Sequence, residues 1–186
     1  MLQIAVPSTE LYDETKEEFI QVKGQVLQLE HSLVSISKWE AKWKKAFLSK
    51  EQKTNEEIID YVRCMTLTQN VNPMLYQVIP RSVFEQIFAY IDDPMSATVI
   101  NEMRAQGAAR KKTDVVTSEL IYYWMVALQI PFECQKWHLN RLMTLIRICE
   151  IKNTPPDKRK KMSRNEILSR NQELNRARRA AMGTKG

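Results

Sequence analysis

Apolar residues are most concentrated between Thr117 and Asn153, in TSELIYYWMVALQIPFECQKWHLNRLMTLIRICEIKN. From Leu120 to Leu128 every residue is apolar or aromatic, which predicts a helix buried nearly all round. Farther on, Trp137, Leu139, Leu142, Met143, Leu145, Ile146 and Cys149 recur at three- and four-residue steps, broken by Gln135, Lys136, Arg141 and Arg147. That spacing predicts a second, amphipathic helix. Pro131 has no backbone N–H to donate and disfavours helix at Ile130, so the expected product is an antiparallel helix pair on which the rest of the chain docks.

Residues 1–31 read as strand. Gln3 to Val6 is a short apolar run ended by Pro7, and Phe19 to Val22 and Val26 to Leu29 flank Lys23-Gly24, where glycine can take the positive φ of a hairpin turn. Leu27 and Leu29 alternate with Gln28 and Glu30, so one face is wet and the other must lie on helices, because so small a sheet does not stand alone. Ser32 is placed to cap a helix with Leu33, Ile36, Trp39, Trp43 and Phe47 on one face. Thr54 to Glu57 is a capping box ahead of Ile58, Tyr61, Val62 and Met65. Asn70 to Pro73 reads as a turn, and Ser82 to Glu85 as a second capping box before Phe84, Ile87, Phe88 and Ile91, with Asp92-Asp93-Pro94 as the stop. Residues 101–114 lose apolar periodicity and read as a loop. Thr154-Pro155-Pro156 ends the globular part, and Ser163 to Glu166 opens a helix whose only large apolar residues are Ile167, Leu168 and Leu174. A helix so polar is marginal or held by a partner. The expected fold is mainly α (α+β): a small N-terminal antiparallel β-hairpin or sheet on a helical bundle over residues 1–154, then a basic helical tail over 155–186.

Composition changes this picture in two respects. Net charge is +6, yet residues 155–186 hold ten Lys/Arg against three acids and so carry +7, leaving −1 for residues 1–154. A near-neutral body with a basic tail suits an acidic partner or a nucleic acid. The three cysteines, Cys64, Cys134 and Cys149, lack paired spacing, which argues for core packing in a reducing compartment. The start has neither a basic n-region nor a long apolar h-region, and the apolar run of residues 120–128 falls far short of the ~20 residues that span a membrane. An intracellular, non-membrane product is expected.

Candidate chemistry is sparse. Cys134 and His138 are spaced i, i+4 as two metal ligands would be, but no second pair completes a site, and His31 reads as a capping or turn residue. No glycine-rich phosphate loop or nucleophile elbow is present. No enzyme, cofactor or metal is expected. Lys158, Arg159, Lys160 and Lys161, with Arg176, Arg178 and Arg179, resemble phosphate-neutralising clusters, but the tail has no aromatic residue to stack on bases. A solvated or protein-contacting tail fits at least as well, and a nucleic-acid partner is disfavoured.

The segments LEHSLVSISKWEAKWKKAFLS (29–49), IIDYVRCMTLTQNVNP (58–73), residues 117–156 and MSRNEILSRNQELNRARRAAMGTKG (162–186) resemble the tail assembly chaperones of long-tailed bacteriophages, small proteins encoded between the major tail protein and the tape measure. The resemblance implies a binding function in the host bacterial cytoplasm. The partner would be the long, helix-rich tape measure protein, with the major tail protein as a second candidate and self-association left open. Recognition would be helix-in-groove, on an aromatic surface of Trp39, Trp43 and Phe47 with parts of Trp124 and Trp137, and the basic tail would steer acidic faces of the partner. Two rival classes remain: a structural virion protein of the head–tail connector or tail, and a nucleic-acid-binding module using the basic tail.

Overall fold

Residues 2–13 and 18–29 form a long two-stranded ribbon, broken once in the middle. Strand β1 (Leu2–Val6) pairs antiparallel with β4 (Gln25–Leu29), and β2 (Thr9–Asp13) with β3 (Glu18–Val22), in one continuous register that sets Val6 opposite Gln25 and Thr9 opposite Val22. The interruption falls where Pro7-Ser8 faces Lys23-Gly24, because proline supplies no ladder N–H. Lys23-Gly24 is therefore not the hairpin turn that its composition suggests; the strands flanking it, β3 and β4, pair with β2 and β1 and not with each other. Gly24 is needed for close approach: a Cβ there would lie 2.6 Å from the Ser8 nitrogen and 2.7 Å from the Val6 oxygen. Ile4, Val6, Leu27, Leu29 and Val22 are buried, so the proximal half of the ribbon sits on the core.

The computed structural model describes residues 1–13, 17–98 and 115–153, and in the C-terminal segment residues 168, 169, 171–173, 175, 176, 178 and 179. The loop read at residues 101–114, Lys158 to Lys161 and the capping box at Ser163 lie outside the described residues. Met1–Cys149 forms one compact unit and Glu150–Gly186 another.

Helix α1 (Leu33–Trp43) starts as expected: Ser32 and Ser35 cap each other's backbone N–H groups at 3.3 and 2.9 Å. It ends early, because Lys44 turns left-handed at φ 54°. Phe47 is consequently not on the α1 face and returns over the helix from the following loop. Helix α2 (Asn55–Met65) has the expected capping box, Thr54 with Glu57, and buries Tyr61, Val62 and Met65. The chain leaving α2 joins the ribbon, where the Leu67 N–H donates to Gln28 at 2.8 Å. A 3-10 helix (Pro73–Val78) follows, then α3 (Arg81–Asp92) beneath β1. Here the expected capping box is absent: Pro80 stands at the N-cap without a side-chain bond, and Glu85 pairs with Arg81 at 3.4 Å.

Helix α4 (Ser118–Ala127) corrects two expectations. It packs chiefly on α1, not against the helix that follows it, and buries only Ser118, Ile121 and Met125. A short helix held from one side buries a single stripe, however apolar its other positions. Gln129 (φ 54°) and Pro131 lead into a second 3-10 helix (Phe132–Lys136), also packed on α1, and then α5 (Leu139–Asn153). The element on which the others converge is α1, which meets α2, α4 and the second 3-10 helix. The result is a mainly helical α+β fold with a small antiparallel β element packed on helices. No helix among the described residues is long and apolar enough to cross a membrane.

Candidate functional site

The aromatic residues on and after α1 come together, but as structure. Trp39 is 1% exposed and its indole N–H donates to the Glu57 carbonyl at 2.8 Å. Trp43 is half-buried and donates to Asp60 at 2.9 Å. Phe47 stands edge-on to Trp39 with ring centres 5.2 Å apart, lies 4.0 Å from the Tyr61 ring, and has the Lys53 ammonium 4.7 Å from its centre. Lys45 and Lys42 close the edge through Glu57 and Asp60. The cluster clamps α1 to α2, and Trp39 offers no surface to a partner. Local sequence patterns do not show this, because the groups that anchor the indoles, the Glu57 backbone carbonyl and the Asp60 carboxylate, belong to α2.

Trp124 and Trp137 are half-buried against the core, and the Arg141 guanidinium covers Trp137 at 4.4 Å. The exposed apolar surface lies beside them. Tyr123 is 65% exposed, Val126 60% and Phe132 54%. Tyr123 and Val126 are neighbours one turn apart on α4, which also sets Val126 next to Tyr122. Phe132 reaches Tyr122, with ring centres 6.5 Å apart, and the Tyr122 hydroxyl donates to Gln135 at 2.9 Å. One patch thus runs from the outer face of α4 onto the second 3-10 helix. Its signal in the sequence was the excess of apolar residues over the one stripe that a ten-residue helix can bury.

The two histidines meet in the interior. His31 and His138 are both buried, with rings edge-on and centres 5.0 Å apart. His138 donates through Nε2 to the Tyr90 carbonyl at 2.9 Å and accepts the Asn140 N–H at Nδ1. His31 Nδ1 shares a 2.5 Å hydrogen bond with the Tyr61 hydroxyl, and its carbonyl accepts the Leu139 N–H at 2.7 Å. The pair ties the end of the ribbon, α2, α3 and α5 together, which its sequence positions did not reveal. Burial, with the second imidazole beside it, pushes the His31 pKa down to about 3. The folded protein therefore keeps His31 neutral, while the unfolded chain takes up a proton near pH 6.5. Stability is complete above pH 6.5 and declines as pH falls toward 3. Between pH 7 and pH 5 the unfolding free energy should drop by about 2 kcal/mol. Urea titrations over that interval test this; a flat profile in the native chain, or a slope unchanged in His31→Phe, would refute it.

Cys134 is buried and Cys64 and Cys149 half-buried, all three as free thiols. Burial pushes the Cys64 and Cys134 thiols up, away from the reactive thiolate. Among the described residues no three His, Cys, Asp or Glu side chains are disposed to hold a metal. Of the basic tail, Arg176, Arg178 and Arg179 are described and exposed on a helix, with Gln172 and Asn175 on the Arg176 and Arg179 side. No protein-family model, curated protein or solved structure matches the chain.

Proposed function

We propose that this chain is a phage tail assembly chaperone, which binds the tape measure protein in the host cytoplasm and keeps it soluble until tail protein polymerises around it. The observation that carries this reading is the uncovered patch of Tyr123, Val126 and Phe132, in the most apolar stretch of the chain and within a segment that bears the resemblance. The docking surface is thus the outer face of α4 with the second 3-10 helix, and not the α1 aromatics, of which Trp39 is buried and Trp43 is half-buried and held by Asp60. An amphipathic helix laid across the patch buries its own apolar stripe there. Apolar burial contributes roughly 25 cal/mol per Å², so a contact of a few side chains is weak and reversible, as a holding protein that must release its client requires. Tyr122 and Gln135, hydrogen-bonded to each other beside the patch, hold its rim in place.

Co-expression with the tape measure protein, scored by its solubility and co-purification, is the test. The native chain should keep the client in solution. A Tyr123→Ser, Val126→Ser, Phe132→Ser variant should lose at least about tenfold in affinity, as expected when several interface anchors are removed, while unfolding like the native chain in urea. Undiminished capture by that variant would remove the patch from the proposal. Stoichiometric recovery of the chain from purified virions would instead favour a structural component of the head–tail connector or tail.

A further inference from the structure

The distal ribbon leaves a second aromatic surface that the chaperone reading does not use. Tyr12 and Phe19 face each other across β2 and β3, ring centres 5.1 Å apart, and are 53% and 72% exposed. Cross-strand aromatic pairs stiffen a ribbon, yet this one is turned to solvent, with Glu10, Glu17 and Glu18 exposed nearby. Residues 2–29 hold five acids (Glu10, Asp13, Glu14, Glu17, Glu18) against Lys16 and Lys23, a net of −3. The chain carries the complement of this surface itself. Residues 155–186 sum to +7, and the described positions of its helix, including Leu168, Arg176, Arg178 and Arg179, are all exposed.

We propose that the ribbon of one copy binds the basic C-terminal segment of a second copy. Guanidinium groups lie over the open faces of Tyr12 and Phe19, the flanking carboxylates supply counter-charge, and the ring pair covers Leu168. A helix too polar to be stable alone is thereby held in place. The contact joins two different surfaces, so it leaves a free ribbon on one copy and a free tail on the other, and association proceeds head to tail. Charge complementarity selects this occupant: an apolar client has no use for the acids, and a nucleic acid is repelled by them. The inference is independent of the α4 patch and of the chaperone reading.

Sedimentation of the full chain over a range of concentrations tests it. Dimers and larger species should appear as concentration rises and weaken at least about tenfold when salt is raised from about 0.05 to about 0.5 M, as screening shortens the reach of exposed charges. Glu10→Lys, Glu17→Lys, Glu18→Lys should be monomeric, and so should Arg176→Glu, Arg178→Glu, Arg179→Glu. A mixture of the two variants should associate, because the native ribbon of the tail variant meets the native tail of the ribbon variant. A native chain monomeric at every concentration, which includes a tail bound to its own ribbon, overturns the proposal. So does association that survives either reversal, or variants that stay monomeric when mixed.

Discussion

Trp39→Ala should lower the unfolding free energy by about 4 kcal/mol, the range for emptying a buried tryptophan site, with the urea m-value unchanged. Two losses contribute. The indole is 1% exposed and packs against Phe47 and Trp43, so truncation leaves a cavity between α1 and α2. The Glu57 carbonyl also loses the indole N–H that reaches it at 2.8 Å. Trp39→Phe separates the terms, since it restores most of the volume but not the donor. A stable Trp39→Ala chain with impaired client binding would instead return Trp39 to the partner-binding role that the resemblance implies.

Glu40→Ala should cost about 3 kcal/mol, because it strips one buried and one part-buried N–H group of a charged acceptor, and such bonds contribute roughly 1.5–3 kcal/mol each. Glu40 projects from α1 with one carboxylate oxygen 2.8 Å from the Phe47 nitrogen and the other 2.7 Å from that of Ser118. Ser118 is the first residue of α4, so the carboxylate also sits at the positive end of that helix. One side chain thus fixes both the loop that carries Phe47 and the helix that carries Tyr123 and Val126. Urea unfolding gives the magnitude, and amide exchange gives the location: the Phe47 and Ser118 amides should lose protection first. Glu40→Gln keeps a single acceptor oxygen and should fall between the two. A neutral effect of Glu40→Ala would mean that solvent replaces the carboxylate at no cost.

Much of the fold was legible in local chemistry. Ser32 and Thr54 mark helix starts because their side chains reach backbone donors only a few residues ahead, and Pro131 breaks a helix by covalent geometry alone. Local signals failed where the deciding partner lies elsewhere in the chain. Ser82 to Glu85 has the composition of a capping box, but Pro80 begins the helix and Arg81 takes the glutamate. Lys23-Gly24 has the composition of a turn, but the strands flanking it pair with others, and the glycine serves the backbone of Pro7-Ser8 opposite.

The candidate site was legible only as a quantity. Leu120 to Leu128 has more apolar surface than one helix stripe can use, so an exposed patch follows once the neighbours of α4 are few. Sequence alone therefore determined the helical, α+β character, the helix starts at Ser32 and Thr54 and the contrast between a near-neutral body and a basic tail, since all of these rest on short-range spacing or on counting. Which aromatics face inward, which acid caps α4, that His31 and His138 meet, and which strand answers which, only the tertiary structure decided. Burial and pairing are relations between distant segments, and neither side chain of such a pair carries a local mark of the other.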